Sequence, residues 1–169
     1  MMQQALNSIR RQWFKVSKKV QATNSPEYVK HLSVIWSRPL SDFNRVIATN
    51  QFALPVLNYL MWTQHWPITE LRAFDRETRK AIHEKGGKHP LISITVMYLP
   101  WHLGGRGLRS VEQECKLTKI KDAVKLYKNV DPKMRTVRMF EERAVEKGHS
   151  SLPTEAHKYA EETGDKFIS

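Results

Sequence analysis

Arg72, Arg76, Arg79 and His83 recur every three or four residues in a segment that reads as a helix from about Thr69 to Lys85. At about 100° per residue they fall within about 60° of one another, and Leu71, Phe74, Thr78, Ala81 and Ile82 occupy an adjacent apolar sector. Solubility does not require such a stripe, because lysine and glutamate serve it equally well. Arginine suits phosphate, since its planar fork donates two hydrogen bonds to one group. The competing reading pairs these arginines with Asp75 and Glu77 along a solvated helix face. Further cations stand at Lys121, Lys125 and Lys128, on one flank of a second predicted helix. Another is Arg106, set between Gly104-Gly105 and Gly107, where dense glycine lets the backbone turn through positive φ and approach a neighbour closely. These eight residues are the candidate nucleic-acid contacts.

Other chemistries find little footing. Two-metal catalysis needs paired carboxylates, and no two aspartates are adjacent among Asp42, Asp75, Asp122, Asp131 and Asp165. The seven histidines show no i,i+4 pair and no cysteine partner at zinc spacing, so neither a metal nor any other cofactor is expected. Cys115, the one cysteine, excludes an internal disulfide and reads as a structural thiol on the second turn of a helix. There is no phosphate-binding GxxxxGK[ST] loop and no GxSxG elbow. The net charge of +11 instead points to a polyanion, and it is unevenly placed: residues 133–169 hold seven basic and seven acidic side chains, leaving the whole excess in residues 1–132.

The elements that must position these residues are helical. Residues 1–20 read as a basic amphipathic helix with Leu6, Ile9, Trp13, Val16 and Val20 on one side. Such a segment packs at a domain edge, or serves as a membrane-surface helix or mitochondrial transit sequence. After the linker Thr23 to Pro26, a helix runs to about Ser37 and Pro39 stops it. Ser41 and Asp42 open the next, and Pro55 kinks or interrupts it ahead of a core segment over Val56 to Trp62. Tyr59, Trp62 and Trp66 are assigned to the core, and Gly86-Gly87 ends the arginine helix. Leu91 to Leu99 alternates Ile92, Ile94, Val96 and Tyr98 at period two, a strand signal without an evident partner strand. Ser110 with Gln113 forms a capping box for a helix whose buried stripe is Leu117, Ile120, Val124 and Tyr127. Asp131-Pro132 starts another helix that ends at Gly148, and a weaker one ends near Gly164. The fold class is mainly α: a helical bundle of five to seven helices with one extended or short β segment and a Gly-rich loop. At 169 residues the chain suits one core with tails, divided as 1–25, 26–130 and 131–169, and no apolar run approaches the roughly 20 residues of a membrane span.

One ordered series gives these elements a common meaning. Glu27-Tyr28, Leu40-Ser41 and Asn44 lead to Ala53-Leu54-Pro55-Val56, Tyr59, Trp66, Leu71 and the run Asp75 to Lys80. His89-Pro90, Tyr98-Leu99-Pro100 and Gly104-Gly105-Arg106-Gly107-Leu108 complete it. The series resembles the segment after the polymerase palm in reverse transcriptases of non-LTR (LINE-type) retrotransposons, over roughly residues 25–128. In that family the segment is the thumb, a helical subdomain that grips template and primer. The family usually has charged residues after its Tyr-x-Pro element; here the chain has Trp101-His102-Leu103. The palm's aromatic-x-Asp-Asp turn is missing. The resemblance therefore implies a thumb fragment of an RNA-directed DNA polymerase that binds an RNA/DNA duplex backbone without catalysis, with a polymerase palm as partner in the parent protein. The alternative is a non-enzymatic host interaction or membrane-surface protein acting through the helix at 1–20. An intracellular site, nuclear or cytoplasmic, is expected, with mitochondrial import as the alternative offered by the N-terminal segment.

Overall fold

The computed structural model describes residues 26–63, 65–85 and 93–164, with the side chains of 59, 60, 62 and 63 undescribed. The expected helix at 1–20, the core assignments of Tyr59 and Trp62, and the Gly86-Gly87 stop lie outside these. The described chain is mainly helical, as a bundle requires, and divides into two compact units, one ending at Val111 and the other starting at Glu112.

In the first unit, helix α1 (26–37) buries Tyr28, Leu32 and Trp36, a stripe at four-residue spacing. Helix α2 (Asp42–Ala48) begins where expected, with Ser41 Oγ accepting the Asn44 N–H at 3.3 Å. It does not end at Pro55. A π-helical turn over Thr49–Ala53 carries the chain into helix α3 (Leu54–Thr63), and Leu54 N–H reaches back to the Thr49 carbonyl. A proline at 55 has no N–H for residue 51 and its ring crowds that carbonyl. The wider turn accommodates both without a break, so the expected interruption is a bulge.

Helix α4 (Ile68–Glu84) runs close to the expected bounds and buries Leu71, Phe74, Asp75, Thr78 and Ile82. Phe74 meets Tyr28 edge-on at 5.4 Å and Trp66 at 5.5 Å, so Trp66 belongs to the core. The Tyr28 hydroxyl and Thr78 Oγ1 share a 2.6 Å hydrogen bond, and burial pushes the Tyr28 phenol well above its ordinary value.

The strand reading of Leu91 to Leu99 is corrected. Among the described residues there is no strand, and Ile94–Tyr98 form a short helix α5 capped by Ser93 Oγ, which accepts the Thr95 N–H at 3.3 Å. Period-two alternation makes a strand only where a neighbour takes up the backbone groups. Here Val96 and Met97 carbonyls instead accept Arg106 and Leu108 N–H at 2.9 Å each, and Leu99 accepts Gly107 N–H at 2.8 Å. The glycine loop folds back onto the end of α5 and satisfies it. This closeness explains the glycines: a Cβ on Gly105 would strike the Leu99 carbonyl, and Gly107, at φ +68°, lies under the Trp101 indole.

The second unit holds most of helix α6 (Val111–Lys128), helix α7 (Pro132–Glu146, capped by Asp131) and helix α8 (Leu152–Thr163, capped by Ser151). The expected α6 stripe is only partly right. Ile120 is buried, but Val124 and Tyr127 are exposed, and Cys115, Lys119, Ala123 and Leu126 are buried instead. The reason is α8: Lys119 Nζ pairs with Glu155 at 3.5 Å and Lys116 Nζ with Glu162 at 3.0 Å, turning that side of α6 inward with its lysine stems packed. Helix α8 buries Ala156 and Tyr159, whereas α7 buries none of its residues. Polar contacts hold α7: Arg138 donates to the Tyr127 and Asn129 carbonyls at the end of α6, and Glu141 accepts the Leu152 N–H at 2.8 Å.

Candidate nucleic-acid interface

The two faces of α4 are separated by chemistry as well as geometry. Its apolar sector is locked in the core, which leaves Arg72, Arg76 and His83 exposed and Arg79 half-buried along the neighbouring sector. Asp75 decides the sharpness of the boundary. It sits between the two sectors on the helical wheel, and the structure turns it inward, 6% exposed. Its carboxylate accepts the Ser110 hydroxyl at 2.7 Å and the Val111 N–H at 2.8 Å. A carboxylate on a free N–H at the start of a helix supplies both the missing acceptor and a charge that suits the helix dipole. Asp75 thus caps α6 from a distance in sequence of 36 residues. Glu77, the other acid of the competing reading, forms no ion pair among the described residues, and neither do Arg76 and His83.

Arg79 has a second neighbour. The Tyr98 hydroxyl is buried and feels the Arg79 guanidinium. Burial and the Asp75 carboxylate push the Tyr98 phenol up, and Arg79 opposes them.

Arg106 is placed differently. Its Nη1 lies 2.8 Å from Asp42 Oδ2, its backbone is bonded to Val96, and Asp42 also receives Arg45 Nη1 at 3.5 Å. The tip of the glycine loop is therefore a cation pinned to the start of α2. Asn50, in the π turn, grips the next stretch, its Nδ2 donating to the Gly107 carbonyl at 2.8 Å and its Oδ1 accepting the Arg109 N–H at 3.0 Å. Trp36 Nε1 donates to Thr49 Oγ1 in the same turn. Sequence reasoning missed Asp75, Asp42 and Asn50, whose partners lie dozens of residues away; the nearest local signal was the boundary position of Asp75 on the wheel.

In the second unit Lys121, Lys125 and Lys128 are all exposed on one side of α6, with Lys125 3.7 Å from Asp122. Burial raises the Asp122 carboxyl against the pull of Lys125 and Lys119. The structure thus gathers Arg72, Arg76, Arg79 and His83 on one helix and the three lysines on another, and gives Arg106 to the loop. Among the described residues no His, Cys, Asp or Glu side chains converge as metal ligands, and no helix is long and apolar enough to cross a membrane. Compared with protein-family models, with curated proteins and with solved structures, the chain shows no match.

Proposed function

We propose that the chain is the thumb and following segment of a non-LTR retrotransposon reverse transcriptase, and that it binds the primer–template backbone without catalysis of its own. The observation that carries this reading is the two-faced α4: burial of Leu71, Phe74, Asp75, Thr78 and Ile82 fixes the rotation of the helix and holds a row of guanidinium groups on the other side. Rows of this kind neutralise successive phosphates and carry no base readout. The ordered resemblance over residues 25–128 and the basic excess of residues 1–132 support the same reading. The lysines of α6 form a second candidate contact, and a palm is the proposed protein partner in the parent polymerase. A nuclear or cytoplasmic site follows from such a substrate.

The test is binding of RNA/DNA hybrid duplexes of unrelated sequence, with magnesium and nucleotides present. The reading predicts equal affinities and no primer extension. Extension by the pure protein, or no binding of any duplex at low salt, would overturn it.

A further inference from the structure

Tyr98 is the last residue of α5, and the backbone on both sides of it is tied down. The Val96 and Met97 carbonyls accept Arg106 and Leu108 N–H at 2.9 Å each, the Leu99 carbonyl accepts Gly107 N–H at 2.8 Å, and Leu99 N–H closes onto the Thr95 carbonyl at 3.1 Å. Met97 beside it is buried. The phenol is therefore carried on a fixed mount.

The segment that ties α5 also ties α4. Leu108 is bonded to Met97, and Ser110 and Val111 just beyond it donate to the Asp75 carboxylate at 2.7 and 2.8 Å. Residues 108–111 thus set the end of α5 against the Asp75 turn of α4. Arg79 follows one turn along α4, on the same side, because residues four apart share a helix face. It is half-buried, and no carboxylate pairs with it among the described residues.

The Tyr98 phenol responds to both neighbours. Burial and then the Asp75 carboxylate raise it, while the Arg79 guanidinium pulls the other way. Its oxygen is sealed from solvent. A sealed phenol oxygen favours a donor beside it, and a guanidinium that turns one N–H inward keeps the rest of its planar fork for an anion outside. Setting the side chain beforehand also spares part of the rotamer entropy that an arginine loses on binding.

We infer that Tyr98 is a positioning residue for Arg79, holding its guanidinium in the orientation from which it meets a backbone phosphate of bound nucleic acid. The inference rests on the nucleic-acid reading above and adds to it the means by which one arginine of the row is set.

The experiment is a double-variant cycle in the binding of an RNA/DNA hybrid duplex at one low salt concentration. It uses wild type, Tyr98→Phe, Arg79→Gln and Arg79→Lys, and each Arg79 variant combined with Tyr98→Phe. Arg79→Gln should weaken binding about tenfold and Tyr98→Phe about threefold. In the Arg79→Gln and Arg79→Lys backgrounds Tyr98→Phe should cost nothing further, because neither side chain brings a guanidinium fork to orient. A phenol that only supports the fold behaves otherwise: its loss would weaken binding by the same factor in every background, and that additive result would overturn the inference. Binding by Tyr98→Phe or by Arg79→Gln as tight as that of wild type would overturn it too, with duplex binding left standing. Failure of wild type to bind any duplex would overturn both readings.

Discussion

Arg106 of the glycine loop and Arg76 of α4 belong to the same unit and carry the same charge, yet they are placed in opposite ways. Arg106 is pinned by Asp42 and by its own backbone bond to Val96, and it closes a loop onto the start of α2. Arg76 is exposed and meets no carboxylate among the described residues. Between them stands Asp75, one residue from Arg76, whose carboxylate accepts the Ser110 hydroxyl and the Val111 N–H. An arginine's placement is therefore set by which carboxylate reaches it from elsewhere in the chain.

That contrast can be broken from the loop side first. Gly105→Ala drives a methyl group into the Leu99 carbonyl, a backbone atom held by Gly107 N–H that cannot yield cheaply. A loss of about 3 kcal/mol is expected in denaturant unfolding. Asp75→Ala comes next. It strips two hydrogen bonds from a buried carboxylate and uncaps α6, costing about 2 to 3 kcal/mol, while Arg76→Gln, one position on, should change stability by under about 0.5 kcal/mol. A similar loss for both variants would erase the distinction between the two faces.

High pH probes the second unit in the same spirit. Burial pushes the Cys115 thiol up to about 11 and the Tyr159 phenol up to about 12. Burial alone would lower the Lys116 ammonium, but its bonds to Glu112 and Glu162 raise it. All three hold their protons more tightly when folded, so the stability they contribute is complete below the unfolded values of 9.0, 10.0 and 10.5 and is lost as pH rises through the folded ones. Thermal melts should therefore show stability falling progressively above pH 9. The Cys115 thiol should also react slowly with a disulfide reagent at pH 8 and quickly once the protein is unfolded. The smallest effect belongs to Arg106→Gln. Its pair with Asp42 is partly exposed and worth at most about 1 kcal/mol, so a modest shift in melting with intact helical dichroism is expected.

The helices were legible because their signals are local. Ser41 as a cap, Asp131-Pro132 at a helix start and the apolar sector of α4 need only neighbouring residues, and each stands where the spacing puts it. What was illegible depends on distant partners. The alternation of Ile94, Val96 and Tyr98 reads as a strand, but the carbonyls it would offer a neighbouring strand are taken by Arg106, Gly107 and Leu108 N–H from the loop. Trp36 and Trp101 look equivalent in sequence, yet Thr49 satisfies the first inside the core while Gly107 seats the second at the surface. Lys116 and Lys119 could not be told from Lys121 and Lys125 until α8 brought Glu155 and Glu162 against them. Of the candidate site, the arginine row was legible as a row because helical periodicity alone fixes it. The partner that pins Arg106 was not.

The account stands on the α4 arginines meeting phosphate, and a salt titration of duplex binding tests it most directly. Wild type and the variant carrying Arg72→Gln, Arg76→Gln and Arg79→Gln are measured side by side. About three lost phosphate contacts should weaken binding for every sequence alike and make the slope of log K against log salt shallower by about 0.9 per contact, with the melting curve nearly unchanged. Parallel lines of equal affinity would contradict it.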